Sequence, residues 1–172
     1  DGATYEDLKE HENDQDTRVA LLARIYNGQM PPLRIGDWAN AFIGKSKTLN
    51  EIDLKKGLMI RRIKKNQKEE TEDIIDLPPS LIKFIKKRKI EGELFPDMSI
   101  TQIDNLLKQT YGDKKATPHY WRSYYTVHIL SKMTDKDEIK EALRVMDHSL
   151  AVNASYYNKQ ASSAYNSLLS GK

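Results

Sequence analysis

The feature that most narrows the fold is the shortness of the apolar segments, each of which is closed within a few turns by glycine, proline or a capping side chain. Arg18-Val-Ala-Leu-Leu-Ala-Arg-Ile-Tyr26 is the clearest and reads as a buried helix stopped by Asn27-Gly28. Pro31-Pro32 marks a turn, and Leu33 to Phe42 reads as a second helix. Around Gly57 the pattern changes. Leu58-Met-Ile-Arg-Arg-Ile63 and Asp73-Ile-Ile-Asp-Leu77 predict two strands joined by a polar connection rich in Lys and Glu. Pro78-Pro79 ends the second strand, and a helix through Leu81, Ile82, Phe84 and Ile85 follows. Ser99 or Thr101 can cap a helix through Ile103, Leu106 and Leu107 that Gly112 closes. Thr117-Pro118 starts another, with Pro at the first helical position, where its missing N–H costs nothing. Asp135-Lys-Asp-Glu138 has capping-box spacing before Ile139, Leu143 and Val145, and a last short helix includes Tyr165, Leu168 and Leu169. The expected fold class is α+β: mainly α, with one small antiparallel β-hairpin or sheet.

A length of 172 residues suits a single domain spanning 1–172, and the acidic stretch 1–16 has no apolar period and reads as a lead-in. No apolar run approaches the roughly 20 residues that cross a bilayer. The chain opens on neither a signal peptide nor an initiator Met, which suits a piece of a longer protein. Cysteine is absent, which excludes disulfides, thiolate metal sites and a cysteine nucleophile and suits a reducing compartment, cytosol or nucleus. Net charge is +3, but residues 1–16 hold seven acids against Lys9 alone. Residues 17–172 therefore carry 27 basic and 18 acidic side chains, a balance of +9. Lys55 to Lys68 contributes seven cations and no acid, and Lys83 to Lys89 five more. Such concentration is the footprint of a phosphate-backbone binder, although Lys-rich solvated surfaces produce it too. Lys55, Lys56, Arg61, Arg62, Lys65 and Lys68 are the candidate DNA contacts.

Four small groups could do chemistry. In His119-Tyr-Trp-Arg122 the two polar residues are three apart and share one face of a first helical turn, where the helix end favours an oxyanion. Met146-Asp-His148-Ser is followed, nine residues after the His, by Tyr157. Arg34 stands just after the Pro-Pro turn with Asp37 three residues on, and the hairpin connection carries Lys64, Lys65 and Lys68. Each group in isolation more often means a surface pair, a helix cap or a packed tyrosine than a catalytic residue.

Their joint order says more. Arg34, Lys64, His119-x-x-Arg122, His148, Tyr157 resembles the tyrosine recombinase family, the phage-integrase type. Thr117-Pro-His-Tyr-Trp-Arg122-Ser-Tyr-Tyr-Thr-Val-His128 looks like that family's active-site helix, with its further His six residues after the Arg. Met146-Asp-His148-Ser-Leu150 resembles the family's Leu-Gly-His-Ser segment, and nine residues is its usual step to the tyrosine. Asp73-Ile-Ile-Asp-Leu-Pro78 resembles its second hairpin strand, and the likeness runs over about residues 17–158. Pro31-Pro-Leu-Arg34 resembles integrase-like genes of large eukaryotic DNA viruses and mobile elements.

The resemblance implies the tyrosine recombinase catalytic-domain fold, with a catalytic core at 17–157 and a tail at 158–172 that docks on a neighbouring protomer or folds back on its own core. It implies an integrase that breaks and rejoins DNA strands through a 3′-phosphotyrosyl intermediate, without a cofactor or a metal. Tyr157 would be the nucleophile, with Tyr156 the alternative if the register shifts by one. Arg34 and Arg122 would clamp the phosphate, His119 would assist proton transfer and His148 would donate a hydrogen bond. Lys64 would protonate the leaving oxygen, with Lys65 and then Lys68 as alternatives. Asp37 would orient Arg34 or its neighbours, and His128 would pack beneath the helix. Asp147 departs from the family's frequent Gly, yet Asp tolerates positive φ better than most residues. The implied partners are double-stranded DNA and three further copies of the chain in a tetramer. The separate DNA-clamping domain of the family has no counterpart before Arg18, so DNA binding should be weak. Rival readings are a type IB topoisomerase, which usually has Lys at the position of His119, a telomere resolvase, and an idle DNA-binding module with the same fold. A metal hydrolase using His119, Asp147 and His148 lacks recognised ligand spacing.

Overall fold

Local capping chemistry sets most of the helix starts. The computed structural model describes residues 1–63, 72–148 and 160–171. Helices α1 (Tyr5–Lys9), α2 (Thr17–Ile25) and α3 (Ile35–Ala39) precede strands β1 (Ala41–Ile43), β2 (Asn50–Asp53), β3 (Leu58–Arg61) and β4 (Asp73–Asp76). Then come α4 (Pro79–Lys87), β5 (Gly92–Glu93), α5 (Ile100–Tyr111), α6 (Pro118–His128), a 3₁₀ turn at Leu130–Lys132, α7 (Lys136–Met146) and α8 (Ser163–Leu169). Ser99 and Gln102 form a reciprocal capping box on α5. The Thr117 hydroxyl accepts the Tyr120 N–H at 3.1 Å, and the Asp135 carboxylate accepts those of Asp137 and Glu138 at 2.8 and 3.1 Å.

The sheet is larger than the expected hairpin. Five strands lie in the order β4-β3-β2-β1-β5, with β1 and β2 parallel and every other pair antiparallel. The β3–β4 pairing matches the sequence expectation and runs from Leu58 opposite Asp76 to Arg61 opposite Asp73. The helix expected over Leu33 to Phe42 is cut to five residues, because Ala41–Ile43 leaves it to become β1. There its backbone pairs on both sides, with Asn50–Ile52 and with Gly92–Glu93, a gain one more exposed helical turn cannot match.

The acidic start is also structured. A Thr4–Asp7 capping box starts α1, and Tyr5 stacks on Trp121 with its edge toward Tyr124. The Tyr120 hydroxyl donates to the Ala3 carbonyl at 2.6 Å. A Cβ on Gly2 would lie 2.0 Å from that hydroxyl oxygen, so only glycine allows the approach.

The main core joins α2, the inner face of the sheet, α4, α5 and Trp121, with Trp38 and Trp121 almost wholly buried. A second cluster beneath α6 and α7 takes Tyr165 and Leu168 from α8, so this last helix lies on its own chain. Ser162, its N-cap, also donates its N–H to the Ser131 carbonyl at 2.8 Å. No helix among the described residues is long and apolar enough to cross a membrane.

Candidate active site

The end of α7 organises the site. An α-helix leaves its last carbonyls without intrahelical partners. Here the next residue, Asp147, sits in the left-handed region at φ 56° and turns the chain, so that its own N–H and that of His148 satisfy Leu143 and Arg144. Three arginines from three other elements also donate to carbonyls of this helix end. Arg61 in β3 donates to Val145 at 2.6 Å and Arg144 at 3.1 Å. Arg122 in α6 donates to Met146 at 2.7 Å, and Arg34, at the N-cap of α3, donates to Asp147 at 3.1 Å. Cations at a helix C-terminus also meet the negative end of its dipole. His148 is held by the same turn.

Arg122 is 5% exposed, and its other donation is to the Pro32 carbonyl at 2.7 Å. Burial, and then the neighbouring Arg34 charge, push its pKa down to about 10, which still leaves a cation at neutral pH. His148 is half-buried. Burial first, then Arg122, Arg34 and His119, push its imidazole down to about 4, so it is neutral near pH 7. His119 itself is exposed on the first turn of α6.

Three buried polar atoms here lack a hydrogen-bond partner among the described residues: Arg34 Nε, Asp147 Oδ2 and His148 Nδ1. The first two are 3.6 Å apart, an ion pair just beyond hydrogen-bonding distance. Buried polar atoms are rarely left unpaired, so a cluster of orphans beside two guanidinium groups marks a place for a polar ligand. Two cations, a neutral imidazole and one carboxylate suit an oxyanion.

No family model matches the sequence, and no curated protein does. Among solved structures, the crystal structure of XerA recombinase matches with a TM-score of 0.63 and 18% sequence identity, over 97% of this chain. The chain has the fold of that recombinase. It spans 62% of the length of the recombinase chain it matches.

On this recombinase fold, Arg34, His119, Arg122 and His148 come from α3, α6 and the end of α7 and converge, although up to 114 residues separate them in sequence. Lys64, Lys65, Lys68, Tyr156 and Tyr157 lie outside the described residues. Two expectations need correction, those for Arg61 and His128. Arg61 is not a DNA contact: it is 0% exposed and pairs with Asp37 at 3.4 Å and Asp73 at 2.6 Å besides its two carbonyls. Asp37, expected to orient Arg34 or its neighbours, pairs with Arg61, and burial raises its carboxyl to about 6 even though Arg61 pulls it down. His128 is exposed against Tyr124, with ring centroids 4.1 Å apart, and does not underlie the helix.

The basic run is divided as well. Lys55 and Lys56 are exposed in the β2–β3 turn, whereas Arg62 lies beyond the far end of β3. A strand of four residues separates the two places by about 13 Å. Arg62 is mostly buried, donates to the Leu49 carbonyl at 3.2 Å and pairs with Glu51 and Glu72. Period-2 reading of Leu58-Met-Ile-Arg61 carries the signal for the buried arginine: Met59 and Arg61 share the inward face.

Proposed function

We propose that this chain is the catalytic domain of a tyrosine recombinase or integrase that breaks and rejoins DNA strands. The observation that carries the reading is the convergence of Arg34 and Arg122 beside His148 around unpartnered buried polar atoms. Likeness of fold to a recombinase supports it.

In this reading the two guanidinium groups hold the non-bridging oxygens of one DNA phosphate and stabilise the charge that develops on them. Tyr157 Oη attacks the phosphorus, the bond to the 5′-oxygen breaks, and the hairpin lysine, Lys64 or a neighbour, supplies that oxygen's proton. A 3′-phosphotyrosyl link and a free 5′-hydroxyl result. His148, neutral at working pH, donates a hydrogen bond to the phosphate, and exposed His119 assists proton transfer. Because the link conserves the phosphodiester's energy, the reverse attack by a hydroxyl reseals the strand. The roles of the lysine and the tyrosine, assembly as a tetramer on DNA and an origin in a virus or mobile element rest on the sequence resemblance.

Covalent trapping on nicked suicide duplexes tests the reading. A protease-sensitive adduct lost in Tyr157→Phe and kept in Tyr156→Phe is expected. Loss only in Tyr156→Phe would move the nucleophile by one residue. An intact fold that forms no adduct on any duplex from a library of element ends would favour the idle DNA-binding module.

A further inference from the structure

Asp147 occupies the edge of Arg34 that a phosphate needs. A guanidinium presents Nε and Nη2 as a fork that matches two oxygens of a carboxylate or phosphate. Here residue 147 faces both prongs at once: its carbonyl accepts from Nη2 at 3.1 Å, and its carboxylate Oδ2 stands 3.6 Å from Nε. The carboxylate is 15% exposed, and both Oδ2 and Nε lack a hydrogen-bond partner, so the pair is close without being locked. Left-handed backbone at φ 56° carries the side chain back toward the site, and the capped end of α7 holds that backbone still.

We propose that the Asp147 carboxylate is a built-in competitor for the phosphate site, which a DNA phosphate must displace from Arg34 before it can be clamped. The inference rests on the anion-binding reading of Arg34 and Arg122. It adds that the site is partly neutralised from within, so affinity for a lone phosphate is low and productive binding needs the rest of the duplex to contribute. His148 Nδ1, without a hydrogen-bond partner near Arg34 and Arg122, is then a second group whose partner arrives with the phosphate. Asp147 is a positioning and specificity residue: it acts on the substrate only through Arg34.

Asp147→Asn removes the charge, keeps the shape and keeps a residue that tolerates positive φ. Inorganic phosphate is titrated into wild type and variant while the His148 imidazole resonances are followed, and a 20-base-pair duplex is titrated in parallel. Removing one negative charge a few ångströms from a bound anion should tighten phosphate binding about tenfold or more. The duplex should tighten in the same direction, and Arg34→Ala in the variant background should abolish the gain. Equal phosphate affinity in both proteins overturns the competitor and leaves the anion site standing. Tightening for phosphate without tightening for duplex overturns DNA as the ligand. Absence of phosphate binding by both folded proteins overturns the competitor together with the anion site itself.

Discussion

His148 and Asp37 are two buried or half-buried titratable groups pushed in opposite directions. The imidazole is lowered from 6.5 to about 4 because burial and two arginines disfavour its cation. Between those values the unfolded chain binds more protons than the folded one, so His148's contribution is full above pH 6.5 and is lost as pH falls toward 4. The Asp37 carboxyl is raised from 3.8 to about 6, chiefly by burial. Its contribution has the opposite sign: full below 3.8 and lost as pH rises through 6. The two therefore offset each other over much of the acid range. Melting temperature against pH separates them: His148→Gln should lose less stability on acidification than wild type, and Asp37→Asn should lose more. Parallel curves for all three proteins would show that neither group is perturbed.

Arg61 ties two elements that share few other contacts. Its guanidinium joins β3 to Asp73 of β4 and to the last carbonyls of α7, and Arg144 of α7 reaches back to Asp73 and to the Ile74 carbonyl at 3.1 Å. Sheet and helix end are thereby fixed to one another, and the helix end carries His148. Asn50 adds a brace at the same place, accepting the N–H groups of Arg62 and Ile63 at 2.7 and 2.9 Å where β3 gives way to the lysine-bearing connection. Arg61→Met should cost about 3–5 kcal/mol in urea unfolding, because it removes the cation paired with the buried Asp37 carboxylate and the donor to the Val145 carbonyl. Phosphate affinity should weaken with it as α7 loosens. A variant with wild-type stability and reduced duplex affinity would instead make Arg61 a DNA contact.

Charge is sorted over the molecule as a whole. The acids of residues 1–16 fold with α1 against α5 and α6, where Asp7 pairs with Lys114 at 2.9 Å. Residues 17–172 keep a surplus of +9, and of its cations Lys55 and Lys56 in the β2–β3 turn and Lys83, Lys86 and Lys87 in α4 are exposed. Duplex affinity is accordingly expected to be modest and to fall about tenfold or more between about 50 and 200 mM salt, as counterions released from a few phosphates require. Fluorescence anisotropy over a salt series reads it directly. A flat response would remove the backbone-binding interpretation of these cations.

Capping residues made most of the helices legible. Thr117-Pro118, Ser99 and Asp135 act within three residues, so their effect needs no knowledge of the rest of the chain. The left-handed turn at Asp147 followed from the resemblance, which puts a frequent Gly there, and from the tolerance of Asp for positive φ. The order of polar residues that resembles a recombinase was legible too, since order along a chain is itself sequence. What could not be read was long-range. Strands β1, β2 and β5 are two to four residues long, too short for a period-2 pattern, and exist because distant backbones pair with them. The N-terminal acids conceal a helix whose tyrosine is held by Trp121, over a hundred residues away. Arg61 carries a charge that the sequence reading placed against DNA, and the fold instead buries it with Asp37 in a low-dielectric interior where each must find an opposite charge or a carbonyl. Local hydrogen bonding settles where helices begin and turn. Which charges are buried together, and hence what the site can hold, is a property of the packed chain.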